Sequence, residues 1–172
     1  NNPGSLGIAI SEAIESVVKS EGKAKYALGS VLGHVLMHQT INGNEAIMQM
    51  EQAGDYPDII VGCTGGGSNL SGLMFPFLGQ QLRGGSKIDI IGCEPLSCPS
   101  FTKGRYAYDH GDMARMTPLI KMHTLGSDFL PPANHSGGLR YHGMSYHLSH
   151  LYDLGLMRAK AYGQKDCFEA GV

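Results

Sequence analysis

An apolar run, Ile59-Ile60-Val61, leads within four residues into Gly65-Gly66-Gly67-Ser68-Asn69, and a helical pattern opens near Leu70. Nothing else in the chain limits the fold as strongly, because a strand that turns through glycines into a helix is half of a βαβ unit. The second half follows directly. Residues 70–82 read as the crossover helix, Arg83-Gly84-Gly85-Ser86 as a turn, and Ile88-Asp89-Ile90-Ile91-Gly92 as a second strand ending at Cys93-Glu94-Pro95. Continuous apolar runs predict parallel strands covered on both faces. The expected class is therefore α/β, built on a parallel, right-handed βαβ unit.

The same loop predicts a binding site. Backbone N–H groups at the start of a helix converge on one point, and where Cβ atoms are missing a phosphate can approach them closely. Ser68 and Asn69 add a hydroxyl and an amide as further donors. A small phosphate ester is the expected ligand. The competing reading is a tight turn that does no more than pack a helix against a strand.

Apolar positions at Leu6, Ile10, Ala13, Ile14 and Val17 have helical spacing and predict a first helix with Gly22 as its C′ residue. Residues 25–28 read as extended. A second helix is expected over 30–53, with Ser30 placed to cap it, Asn42-Gly43-Asn44 as a point of kinking, and Gly54-Asp55-Tyr56-Pro57 as its end. Beyond Pro95 the periodicity fades for about fifty residues rich in Gly, Pro, His and Tyr, a length at which loops are functional or disordered. Interleaved aromatic and apolar clusters favour an ordered, functional segment. Residues 148–154 then read as helical turns, 157–162 as a third strand, and 164–172 as the opening of a helix.

With 172 residues the chain suits one domain better than two. Its 42% hydrophobic and 16% charged residues and formal charge of -2 give no nucleic-acid or membrane surface. No run is long and apolar enough to span a bilayer. Cys63, Cys93, Cys98 and Cys167 form neither a CxxC pair nor a disulfide scaffold, so a cytoplasmic, reducing setting is expected. Cys63, closing a strand, reads as a small core residue. Glu94, at a strand's C-terminal end, suits a structural hydrogen bond or a catalytic role equally. His147 and His150 would share a helix face near His142, but no carboxylate or cysteine completes a metal set. The chain starts without Met and stops inside a helical pattern, and it is expected to be a piece of a longer protein.

Four stretches taken together are recognisable: Asn2-Pro3-Gly4-Ser5-Leu6-Gly7-Ile8-Ala9-Ile10, Tyr26-Ala27-Leu28-Gly29-Ser30, Gly65 to Asn69, and Ser136-Gly137-Gly138-Leu139-Arg140-Tyr141-His142-Gly143. Along its whole length the chain resembles the tryptophan synthase β chain family, in its second, divergent class, as a central fragment. That resemblance implies a pyridoxal-phosphate enzyme of fold type II that joins L-serine or phosphoserine to indole, giving L-tryptophan by β-replacement. It also implies that Gly65, Gly66, Gly67, Ser68, Asn69 and Ser30 bind the cofactor, and that Leu28 and Tyr141 wall the indole site. Arg140 stands at the substrate site, where the better-known class carries an aspartate that handles the serine hydroxyl. The carbonyls of Gly65, Tyr141 and Gly143 match a site for K⁺ or Na⁺, hard cations suited to carbonyl oxygen.

The resemblance places no catalytic residue inside this span. The lysine that carries the cofactor and the carboxylate of the indole step precede it, and the serine facing the pyridine nitrogen follows it, so the isolated span should be inactive. Residues 1–28 would end a mobile subdomain, 29–44 cross the cleft, and 45–172 form an incomplete cofactor-phosphate domain. Implied partners are a second copy of the parent and a tryptophan synthase α chain. A threonine synthase, dehydratase or cysteine synthase relative is the alternative enzyme, and a non-catalytic anion-binding module the alternative of another class. Leu28 and Tyr141 favour an aromatic acceptor.

Overall fold

The computed structural model describes residues 4–172; Asn1, Asn2 and Pro3, which open the first recognisable stretch, lie outside the described residues. Helix α1, Leu6–Lys19, is capped by Ser5, whose hydroxyl accepts from the Ile8 amide at 3.2 Å. Its C-cap is Ser20, so the C′ position falls on Glu21, one residue before the expected Gly22, and both are left-handed, with φ 51° and 85°. Helix α2, Gly33–Ala53, runs unbroken through residues 42–44 and ends at Gly54, whose φ of 68° closes it as the sequence predicts. No kink forms because Gly43 is buried where α2 crosses the next helix, and a Cβ there would lie 2.7 Å from the Gly72 carbonyl oxygen. The cap of α2 is Leu32, so Ser30 does not serve as one.

Strand β1, Ile59–Cys63, leads through the glycine loop into α3, Ser68–Leu82, and then β2, Asp89–Pro95. The irregular stretch beyond Pro95 contains a hairpin that the sequence did not announce. Strands β3, Arg105–His110, and β4, Leu119–Thr124, pair antiparallel there. Helix α4, Tyr146–Asp153, strand β5, Arg158–Tyr162, and helix α5, Gln164–Gly171, complete the chain. The main sheet has the order β1-β2-β5, with both pairs parallel, so the α/β class and the βαβ unit are borne out.

One face of this sheet is buried and the other is open. Ile60 and Ile90 point inward, against Leu70, Met74, Phe77 and Leu78 of α3 and Leu148 of α4. Each fully buried aliphatic or aromatic side chain in such a core contributes about 1.5–3 kcal/mol. Ile59 and Val61, the alternate residues of β1, are 54% and 56% exposed, and Cys63 is exposed too. This corrects two expectations, that β1 is covered on both faces and that Cys63 is a core residue. An apolar run identifies a strand able to be covered twice, but a second covering layer must be supplied by other chain segments.

Candidate functional site

The glycine loop lies between the C-terminal end of β1 and the first turn of α3, which starts at Ser68, two residues earlier than its periodicity indicates. Gly67 is its N-cap, with φ 106°, a left-handed conformation that favours glycine. Among the described residues, none of the chain's own acceptors takes the amide hydrogens of Gly65, Gly66, Gly67, Ser68 or Asn69. Five successive amides are thus available at the positive end of a 15-residue helix. They line a cleft of about 220 Å³, closed opposite by Gly137, Gly138 and Leu139. Leu6, Ser30, Cys63 and Tyr141 complete the wall, and no lysine or arginine is among the lining residues. An anion here would be held by amide dipoles and hydroxyls rather than by a countercharge.

The glycines serve packing as well. A Cβ on Gly66 would overlap the Ser30 hydroxyl and lie 2.7 Å from Val31 Cγ1, and one on Gly67 would lie 2.5 Å from Leu148 Cδ1. Both Cβ directions therefore point into packed neighbours, and the anion-site and packing-turn readings hold together. The same contact brings Ser30 onto the loop, as the cofactor reading requires. From the other side Ser145, the N-cap of α4, donates its amide to the Gly66 carbonyl at 2.9 Å. The loop is consequently clamped by two segments distant in sequence, residues 30–31 and 144–148.

Tyr141 separates this cleft from a second cavity of about 200 Å³, which it lines together with Leu28. The remaining wall is almost wholly apolar, from Val31, Leu32, Ile120, Met122 and Met144, with Tyr146 at one side. Its volume lies below the ~300–1,000 Å³ typical of pockets for drug-sized ligands and suits a small fused ring. The Tyr141 hydroxyl donates to the Gly111 carbonyl at 2.7 Å, and burial raises its pKa far above the ordinary phenol value. It acts as a fixed wall and stays protonated.

Arg140 lines neither cavity. Its guanidinium donates to the carbonyls of Pro131, Pro132, Asn134 and Gly4, at 2.9 to 3.4 Å, so it ties the loop before Gly137 to the start of α1. The carbonyl oxygens of Gly65, Tyr141 and Gly143 accept no hydrogen bond from the described residues, which leaves them available to a cation. Glu94 makes the structural hydrogen bonds: its carboxylate accepts from the Phe101 and Thr102 amides and the Thr102 hydroxyl. Among the described residues no three His, Cys, Asp or Glu side chains gather to hold a metal ion.

Sequence reasoning left Gly137 and Gly138 out of the binding set, although their motif was noticed. Both are left-handed, with φ 58° and 85°, and a paired glycine after a serine is the signal that marks such a close-approach loop.

No family model matches the chain. Curated relatives do: it is 55% identical over 170 residues to the tryptophan synthase beta chain 2 of Aeropyrum pernix, covering 99% of this chain and 38% of that one. For the tryptophan synthase beta chain of Pseudothermotoga lettingae the figures are 56% over 169 residues, 98% and 40%. For the beta chain 2 of Methanosarcina mazei they are 54% over 172 residues, 100% and 39%. The chain aligns along its length with tryptophan synthase β chains. The resemblance read from the sequence is borne out, and the chain spans about two fifths of the length of those tryptophan synthase β chains. The crystal structure of a threonine deaminase superposes with a TM-score of 0.49 at 15% identity, over 73% of this chain and 39% of that one, too loosely to carry weight.

Proposed function

We propose that this chain is the part of a tryptophan synthase β chain that holds the phosphate of pyridoxal phosphate and walls the indole site. The observation that carries the reading is the set of five unpartnered amides at the start of α3, set beside an apolar cavity across Tyr141. The cleft fits the cofactor's phosphate: the loop's amides have no acceptor within the described residues, and Ser68, Asn69 and Ser30 surround it with donors. Pyridoxal phosphate, when bound, supplies the electron sink for chemistry at an amino-acid α-carbon. This chain's residues bind and orient it. Leu28 and Tyr141 exclude water from the acceptor and favour indole over a hydroxyl or thiol.

Arg140 serves the substrate site on this reading by holding residues 131–139 against the cleft rather than by touching the serine hydroxyl. The open carbonyls of Gly65, Tyr141 and Gly143 hold K⁺ or Na⁺ and stiffen the same segment. Residues 1–28 end a mobile subdomain, 29–44 cross the cleft, and 45–172 belong to the cofactor-phosphate domain. The lysine, the indole-step carboxylate and the serine facing the pyridine nitrogen come from elsewhere in the parent. The parent is a cytoplasmic homodimer that docks a tryptophan synthase α chain. No helix among the described residues is long and apolar enough to cross a membrane.

The test is direct. The full-length protein, supplied with pyridoxal phosphate, L-serine or phosphoserine, and indole, forms L-tryptophan by chromatographic assay, and it binds pyridoxal phosphate at least about tenfold more tightly than pyridoxal, a difference of about 1.4 kcal/mol. A folded protein that makes no tryptophan overturns the activity, and equal affinity for the two vitamers overturns the cleft assignment.

A further inference from the structure

Two thiols occupy paired positions at the end of the parallel sheet that delivers the glycine loop. Cys63, the last residue of β1, is the Cα partner of Cys93 in β2. Strands in a sheet lie about 4.7–4.9 Å apart, inside the ~4.4–6.8 Å range of Cα separations that a disulfide bridges. Directly paired residues on parallel strands send their side chains to the same face. Here it is the open one: Cys63 follows Ile59 and Val61 in the exposed alternation of β1, and Cys93 follows the half-buried Ile91 in β2. Both thiols line one cavity of about 320 Å³, and Cys63 also lines the glycine-loop cleft. None of the four cysteines is in a disulfide.

We propose that Cys63 and Cys93 are a peroxide-oxidisable dithiol, and that the disulfide they form alters anion binding at the adjoining glycine loop. Cys63, which lines the glycine-loop cleft as well as the shared cavity, meets the oxidant first. Its thiolate attacks hydrogen peroxide, the O–O bond breaks, hydroxide leaves, and the sulfur becomes a sulfenic acid. The Cys93 sulfur then attacks that sulfur, the S–S bond forms, the S–O bond breaks, and water departs with the proton released by Cys93. Overall two thiols lose two electrons and two protons, and one peroxide becomes two waters.

The other cysteines compete poorly. Cys98 is buried, does not line the cavity, and burial pushes its thiol up to about 11. Cys167 lines the cavity from α5, outside the sheet ladder. Burial also raises the Cys93 thiol, with smaller contributions from Cys63 and Cys167, in keeping with a neighbour that resolves the bond rather than initiating it.

Coupling to the loop follows from the chain path. Thr64, next after Cys63, donates both its amide and its hydroxyl to the Cys93 carbonyl, at 2.8 and 3.1 Å, and Gly65 follows. A disulfide draws the two Cβ atoms to about 3.8 Å, so closing it pulls the loop's entry residue toward β2. This second part rests on the loop being an anion site; the dithiol itself does not.

The experiment treats the full-length protein with limiting hydrogen peroxide, blocks remaining thiols, and maps tryptic peptides without reduction. Cleavage at Lys25, Arg83, Lys87 and Lys103 places Cys63 in one peptide and Cys93 with Cys98 in another. The linked pair is expected in the wild type and in Cys98→Ala, is released by dithiothreitol, and is absent from Cys93→Ser. Linkage to Cys167, or over-oxidation without linkage, overturns the dithiol. In parallel, affinity for inorganic phosphate is measured by calorimetry before and after oxidation. A change of at least about fivefold, absent from Cys93→Ser, supports the coupling, and a linked protein with unchanged affinity overturns it. A reduced protein that does not bind phosphate overturns the cleft assignment and leaves the peptide result standing.

Discussion

Within the loop, neighbouring positions separate folding from binding. Gly67 combines a left-handed backbone with a Cβ direction only 2.5 Å from Leu148 Cδ1 and 2.9 Å from Met144 Sδ. Gly67→Ala is expected to destabilise by about 2–5 kcal/mol through backbone strain and overpacking, read as a lower urea midpoint. Asn69, two residues on, has an exposed side chain, and Asn69→Ala is expected to leave that midpoint unchanged while weakening phosphate binding several-fold. Equal losses of stability in both variants would return the loop to a packing turn. A second residue-scale expectation concerns His123, which is stacked on Tyr106 at 5.0 Å and packed against Phe101 and Tyr152. Neither ring nitrogen has a partner among the described residues, and burial lowers its pKa, opposed weakly by Asp153. The pKa values of buried His142 and half-buried His147 are lowered for the same reason. In the unfolded chain these imidazoles take up protons as pH falls through about 6.5, while the folded chain resists. The neutral imidazoles therefore support full stability above that pH, and stability is lost as pH falls below it toward their folded values. Urea midpoints at pH 7.5 and 5.5 measure the loss. His123→Phe, which keeps the ring and removes the unpartnered nitrogens, is expected to lessen it.

Between elements, the decisive contact is the α2–α3 crossing, where two glycines allow the backbones to meet. A Cβ on Gly72 would lie 2.7 Å from Gln39 Cβ, and one on Gly43 would lie 2.8 Å from Pro76 Cδ. Pro76 has no amide to donate to the Gly72 carbonyl, which therefore faces Gly43 unengaged by its own helix. Gly43→Ala is expected to cost about 1–3 kcal/mol by overpacking, against the gain that alanine brings to an exposed helix interior, and thermal or urea unfolding measures it. This crossing shows where sequence reading stops. Gly43 read as a kink because a lone glycine weakens a helix locally, and only the partner helix reveals that it is a contact. Strands β1 and β2 were legible because their apolar runs are short and bounded by glycine turns. Strands β3 and β4 were not, because Arg105-Tyr106-Ala107-Tyr108-Asp109-His110 buries no regular face and its pairing is made by cross-strand neighbours. At the site, the glycine loop and the Leu28–Tyr141 cavity were readable from motif residues. The second glycine wall and the true contacts of Arg140 depend on segments far apart in sequence.

At the scale of the molecule the sheet has one face without a covering layer. Ile59 and Val61 are more than half exposed, Ile91 is half-buried beside them, and β1 is an edge strand. Adjacent apolar side chains on a flat edge invite another chain to pair or stack there. The Asp89–Arg158 ion pair borders this patch, Asp89 being the register partner of Ile59, but its exposed charges offer little protection because surface pairs contribute about 0–1 kcal/mol. The relatives are more than twice as long as this chain, so the natural cover over Ile59, Val61 and Ile91 is expected to come from residues of the parent outside the 172. The isolated chain is therefore expected to self-associate with rising concentration, and sedimentation velocity from micromolar to near-millimolar samples measures it. Val61→Thr, and more strongly Ile59→Thr with Val61→Thr, should shift association to higher concentration while leaving the inward-facing core untouched, since Ile60 rather than either changed residue meets α3. Association unchanged in the double variant would move the interface elsewhere, with the aromatic surface of Tyr106, Tyr108 and Tyr146 as the next face to alter.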